Sequence, residues 1–160
     1  RPTVSKEEIG FLPGDLKEKM DPWVQPIYQN MFLLYDKTKI EKYIEEGKIE
    51  IVPVSFMRGR TFLDSIVIVD EAQNVTHEQM QMIVTRIGLR SKMIICGDDH
   101  QVDLKSRRDS GFRFLYTAAR KIKNMVGITL KHNHRDPIVE GLIEIYEDAE
   151  ERGITKGKKK

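Results

Sequence analysis

One cysteine is all that this sequence offers to disulfide or thiolate chemistry. Cys96 alone excludes an intrachain disulfide framework and a cysteine-built zinc site, and it fits a reducing compartment. Long apolar runs are missing too: none approaches the roughly 20 residues needed to span a bilayer, and no signal-like segment opens the chain. The expectation is a cytoplasmic protein with no membrane contact. A strong charge of either sign is also lacking. The 27 Lys and Arg residues stand against 25 Asp and Glu, a formal net charge of +2, so composition by itself does not point to nucleic acid. Position 1 is Arg rather than Met, and the N-terminus is read as the trimmed start of something longer.

What is there suits a single soluble domain. The chain has 160 residues, 32% charged and 39% hydrophobic, and a domain of this size buries roughly 68–70% of its unfolded surface, enough for one core. The start is rich in breakers: Pro2, Gly10, the Pro13-Gly14 turn signal and Asp21-Pro22. From Pro22 to Asp36, helical spacing is kept by Trp23, Ile27, Met31 and Leu34. The stretch "TKIEKYIEEGK" repeats it, with Thr38 as N-cap and Gly47 as the stop. The period then changes. Four segments read as strands: residues 49–57, "SIVIVDEA" from Ser65, "SKMIICGDD" from Ser91 and "GITLKHN" from Gly127. The unbroken run Val67, Ile68, Val69 predicts a parallel strand covered on both faces. Helices are expected from Thr76, with a Thr76–Gln79 capping box, from Ser110, and after Pro137. Strands alternating with helices predict an α/β fold with a parallel sheet over residues 1–155, followed by a basic, disordered tail at residues 156–160.

Ligands of open parallel sheets bind beyond the carboxyl ends of the strands. Three of the four predicted strands end in polar groups suited to that place: Asp70 and Glu71; Gly97, Asp98 and Gln101; His132, Asn133 and Arg135. A nucleoside triphosphate needs magnesium across its outer phosphates, a group to orient water, and positive charge for the transition state. Asp70 matches the acid that holds magnesium, and Glu71, aimed differently, the group that positions water. The alternative is an ordinary strand-to-helix junction where acids favour the helix N-terminus.

"DEAQ" at residues 70–73, "GDDHQ" at 97–101 and "HNHRDP" at 132–137 together resemble the superfamily 1 helicase-like ATPases. In detail the chain resembles the PhoH family of phosphate-starvation-induced ATPases, through "GFLPGDLKEKMDPWVQP", "MRGRTFLDSIVIVDEAQN", "QMQMIVTRIG", "SKMIICGD" and "QVDL". The resemblance implies a three-layer, RecA-like P-loop NTPase core that uses ATP and Mg2+. Carried over residue by residue, it implies Asp70 and Glu71 as the Walker B pair, with Asp70 the Mg2+ acid and Glu71 the catalytic base. Gln73 becomes the residue coupling nucleotide to its neighbours. Gly97 opens the loop that carries Asp98 and Gln101, with Gln101 the sensor of the γ-phosphate or attacking water. Arg135 becomes the γ-phosphate arginine. The alternative for Arg135 is a surface arginine paired with Asp136.

A P-loop ATPase also needs G-x-x-x-x-G-K-[ST], whose amides cradle phosphate. No such string occurs here. In PhoH-like proteins the P-loop strand precedes the segment at which this sequence begins, so the first P-loop strand is expected to be missing and this chain alone to be inactive. The sheet position left open predicts self-association, hence a homo-oligomer. In "FMRGRT", Arg58, Arg60 and Thr61 could bind phosphates of single-stranded RNA; a solvated loop and an arginine lent to a neighbouring subunit are the alternatives. Arg86 is expected to pair within the helix layer, Cys96 to be a buried small hydrophobe, and His77, His100, His132 and His134 to be structural or phosphate-adjacent rather than metal ligands. Two further readings of function remain: a nucleic-acid-binding module with a relic Walker B pair, and an assembly subunit that holds nucleotide structurally.

Overall fold

The computed structural model describes residues 16–132, 134 and 136–154. By contact the chain divides into two units, Arg1–Met125 and Val126–Lys160.

In the first unit, α1 spans Leu16–Leu34 and α2 Lys37–Glu45. Helix α1 begins six residues before the expected Pro22 and runs through Pro22 and Pro26, each of which removes one backbone donor. Its inner stripe is Val24, Ile27, Tyr28 and Met31; Leu34, expected on that stripe, is 77% exposed. Helix α2 is capped by Asp36, not by Thr38. The Asp36 carboxylate accepts the Lys39 N–H at 3.2 Å, and a cap at Asp36 leaves Thr38 in the first turn. Gly47 ends α2 as expected. At φ +69° it lets its own N–H reach the Ile44 carbonyl and the Lys48 N–H reach that of Tyr43, a Schellman stop.

The expected strand at residues 49–57 does not form. Pro53 has no N–H, and the donors around it bond locally: Ile49 to Tyr43, Phe56 to Pro53 and Met57 to Val54, the last two closing a 3-10 turn at Val54–Phe56. The sheet of the described residues is a parallel pair, β1 (Ile66–Val69) and β2 (Lys92–Ile95), in the register Ile66↔Lys92 to Val69↔Ile95. Helix α3 (His77–Val84) connects them, opened by the expected capping box of Thr76 and Gln79. It stops short of Gly88 because Ile87 is drawn into a parallel bridge with Phe62. Helix α4 covers Gly111–Ala118.

The core lies on one face of the sheet. Met57, Ala72, Val75, Met80 and Ile83 are buried together, with Val69, Met93, Ile95, Phe112 and Leu115 packed against them. Gly111 lets α3 and α4 approach: a Cβ there would lie 2.6 Å from the Met80 Cβ and 2.8 Å from the Thr76 carbonyl. The opposite face of the sheet is open. Ile66 is 71% and Ile68 65% exposed, with Ile94 beside them, so β1 is covered on one face and not on both. A continuous apolar run is needed only where both faces are covered, and among the described residues nothing covers this one. Cys96, next on that face, is exposed rather than buried.

In the second unit, the expected strand from Gly127 joins no sheet among the described residues, and Val126, Ile128 and Leu130 are exposed. Helix α5 (Pro137–Glu151) starts with proline in its first turn, and the Asp136 carboxylate caps the Ile138 N–H at 3.0 Å. Asn133, Arg135 and the tail at residues 156–160 lie outside the described residues. Among those described, no helix is long and apolar enough to cross a membrane.

Candidate functional site

The chain leaves β1 through a strained turn. Asp70 follows the strand, exposed, and one of its carboxylate oxygens accepts the N–H of Glu71 at 3.0 Å. Glu71 then takes φ +55°, ψ +35°, a left-handed conformation that costs a non-glycine residue about 1–2 kcal/mol. The reversal lets the Ala72 N–H reach the Cys96 carbonyl at 2.9 Å, one step beyond the ladder, and starts a 3-10 turn at Ala72–Asn74 whose three residues are all buried.

Gln73, only 1% exposed, joins the two loops beyond the strands. Its amide nitrogen donates to the Glu71 carboxylate at 3.0 Å and to the Gln101 carbonyl at 3.3 Å. Its amide oxygen accepts the Asp98 N–H at 3.1 Å. Gly97 is glycine for this reason: a Cβ there would come within 3.0 Å of both the backbone nitrogen and the amide oxygen of Gln73. Asp98 in turn accepts the His100 N–H at 2.9 Å and the Gln101 side-chain amide at 2.8 Å. The fold therefore brings Asp70, Glu71, Gln73, Gly97, Asp98 and Gln101 together from two loops.

Asn74 and Asp103 belong to the same assembly and were not among the expected site residues. The Asn74 amide oxygen accepts the Asp103 N–H at 2.8 Å, and its nitrogen reaches the Asp103 carboxylate at 3.5 Å. The signal in the sequence was an amide directly after Gln73, with an acid two residues beyond Gln101.

The Arg58–Thr61 loop lies at the other end of the strand. Arg86, at the C-terminal end of α3, donates to the carbonyls of Met82 and Arg60 and to the Thr85 hydroxyl, so it ties the helix end to this loop. The carboxylates stand near the N-terminal end of that helix. Arg60 is engaged by both oxygens of Glu50 at 2.8 Å and lies over the Phe62 ring. Its hydrogen bonds hold the Glu50 carboxyl below the ordinary carboxylate range. Arg58 and Thr61 are exposed, and Arg58 has no ion pair with a described residue.

Asp70 is exposed and commits one carboxylate oxygen to the Glu71 N–H; a carboxylate oxygen is a hard donor of the kind magnesium takes alongside phosphate oxygens and water. Among the described residues no three His, Cys, Asp or Glu side chains gather for a metal ion. Partial desolvation and the neighbouring Asp70 charge raise the thiol of the exposed Cys96 above its usual pKa. Arg135 lies outside the described residues.

Helices joined to a parallel strand pair, with acids and amides gathered at the carboxyl ends of the strands, make an α/β fold. Comparison with known proteins gives the family: the PhoH-like protein family model matches residues 1–147, and the chain belongs to that family. It is 41% identical over 153 residues to a PhoH-like protein of Synechocystis sp. and 44% identical over 153 residues to one of Bacillus subtilis, covering 94% and 92% of this chain and 47% of each relative. It is 44% identical over 107 residues to Protein PhoH of Escherichia coli, covering 65% of this chain and 30% of that protein. The chain thus spans about half the length of the curated relatives it matches.

Proposed function

We propose that this chain is the larger part of a RecA-like ATPase core, in which the carboxyl ends of β1 and β2 handle the γ-phosphate of MgATP. The observation that carries the reading is the buried Gln73 amide, which binds the Glu71 carboxylate on one side and the Gln101 loop on the other. A carboxylate held at a fixed angle can orient water and take its proton, and an exposed amide one loop away can sense the phosphate. Asp70 would hold the magnesium, which supplies charge neutralisation at the phosphates. Gly97 and Asp98 shape the sensor loop, and Arg135 is the proposed source of transition-state charge.

Coupling to single-stranded RNA is part of the proposal, with Arg58 and Thr61 as the phosphate contacts. Arg60 would join them only by exchanging Glu50 for phosphate. The open face of Ile66, Ile68 and Ile94 supports a homo-oligomer.

The test is steady-state MgATP hydrolysis by the longest polypeptide that the gene encodes, beside this chain and a Glu71→Gln variant of the longer form. Turnover confined to the long form, and lowered on the order of 10²-fold or more by Glu71→Gln, is the expected result. Absence of turnover in every form, with or without single-stranded RNA, would refute it.

A further inference from the structure

The loop after β2 has little backbone holding it. Between Asp98 and Asp103 one main-chain bond closes on itself, from the Gln101 N–H to the Asp98 carbonyl. The Asp98 carboxylate takes the His100 N–H from within the loop, and the other main-chain partners come from two adjacent side chains of the other loop. Gln73 takes the Asp98 N–H and gives to the Gln101 carbonyl, while Asn74 takes the Asp103 N–H. Gln73 thus holds the beginning and middle of the loop and Asn74 its end.

Asn74 is well placed for this task. It is 6% exposed and stands between Ala72 and Val75, both fully buried in the core, so its backbone cannot drift. Its amide presents an acceptor to the Asp103 N–H and a donor to the Asp103 carboxylate. A hydrogen-bonded pair of this kind fixes distance and orientation together.

We infer that Asn74 and Asp103 are positioning residues: the pair anchors the far end of the sensor loop so that Gln101 stays in register with the Glu71 carboxylate. The inference rests on the proposed ATPase reading and assigns the pair no contact with nucleotide. Losing the anchor leaves Asp70 and Glu71 untouched and lets Gln101 wander. Nucleotide affinity should therefore hold while the chemical step slows.

The experiment compares the longest encoded polypeptide with its Asn74→Ala, Asn74→Asp, Asp103→Asn and Asn74→Asp/Asp103→Asn variants. Turnover is measured against MgATP, and amide hydrogen exchange is followed at residues 98–103. For Asn74→Ala the expected kcat is on the order of 10- to 100-fold lower, the cost of a misplaced group, with KM within about threefold of wild type. Protection at the Asp103 amide should be lost. Asn74→Asp sets two carboxylates against each other and should be equally slow. Adding Asp103→Asn restores an amide–carboxylate pair in reverse and should return much of the rate, which general loss of stability would not do. A working wild type with Asn74→Ala at full kcat, or with Asp103 deprotected at full kcat, overturns the positioning role alone. A wild type without turnover overturns the ATPase reading and this role with it.

Discussion

Beyond the carboxyl end of β1 two buried amides bond to main chain beside the exposed Asp70; at its amino end exposed arginines bond to carboxylates. Gln73 and Asn74 are 1% and 6% exposed and reach across to Asp98, Gln101 and Asp103. Arg60 with Glu50, and Arg90 with Asp64, keep 40–71% of their side chains in solvent. Buried amides lose their partners at full desolvation cost, whereas exposed ion pairs are screened and worth little. The contrast teaches where geometry is held: one end of the strand is built to keep atoms in place, the other to keep a surface charged and wet.

The sharpest way to break this contrast is at Gln73. Gln73→Ala strips the acceptor from the Asp98 N–H and the donor from Glu71, and should lower stability by about 1–3 kcal/mol, measured by urea unfolding. A loss no larger than that of an exposed arginine would erase the distinction between the two ends. Gly97→Ala follows. Its Cβ, 3.0 Å from the Gln73 amide oxygen and 3.1 Å from the Phe112 ring, must push the joint open, and a cost of about 1 kcal/mol or more is expected in the same assay. Arg60→Gln should cost less than about 1 kcal/mol at low salt and almost nothing at high salt.

The smallest effect is a pH dependence at the wet end. Glu50 has its folded carboxyl lowered by Arg60, so the stability it contributes is present above the unfolded pKa of about 4.3 and is lost as pH falls through the lower folded value. Carboxyl NMR titration should show Glu50 below the ordinary range in the wild type and within it in Arg60→Gln. An unchanged titration would mean that the pair does not persist in solution.

The features legible in the sequence are those that a few neighbouring residues decide. The Thr76–Gln79 capping box, the Gly47 stop and the parallel strands around "IVIVD" and "MIIC" follow from local chemistry, and the structure has each of them. The placement of acids and amides beyond the strands follows from topology in the same way. Strand formation at residues 49–57 and from Gly127 was not decided locally. Apolar β-formers make a strand only when another strand takes their hydrogen bonds, and among the described residues none does. The covered second face of β1 failed on the same ground, since Val67, Ile68 and Val69 state a preference and a neighbour must meet it. Asn74 and Asp103 escaped because 29 residues separate them and neither is unusual where it stands.

The carboxamide of Gln73 has a direction: its donor end faces an anion and its acceptor end faces a backbone N–H. Turning it over would set like against like at both ends, so the link has one stable sense. It also carries no ionisable proton. The tie between the two loops is thus made by a group that has no charge of its own to gain or lose.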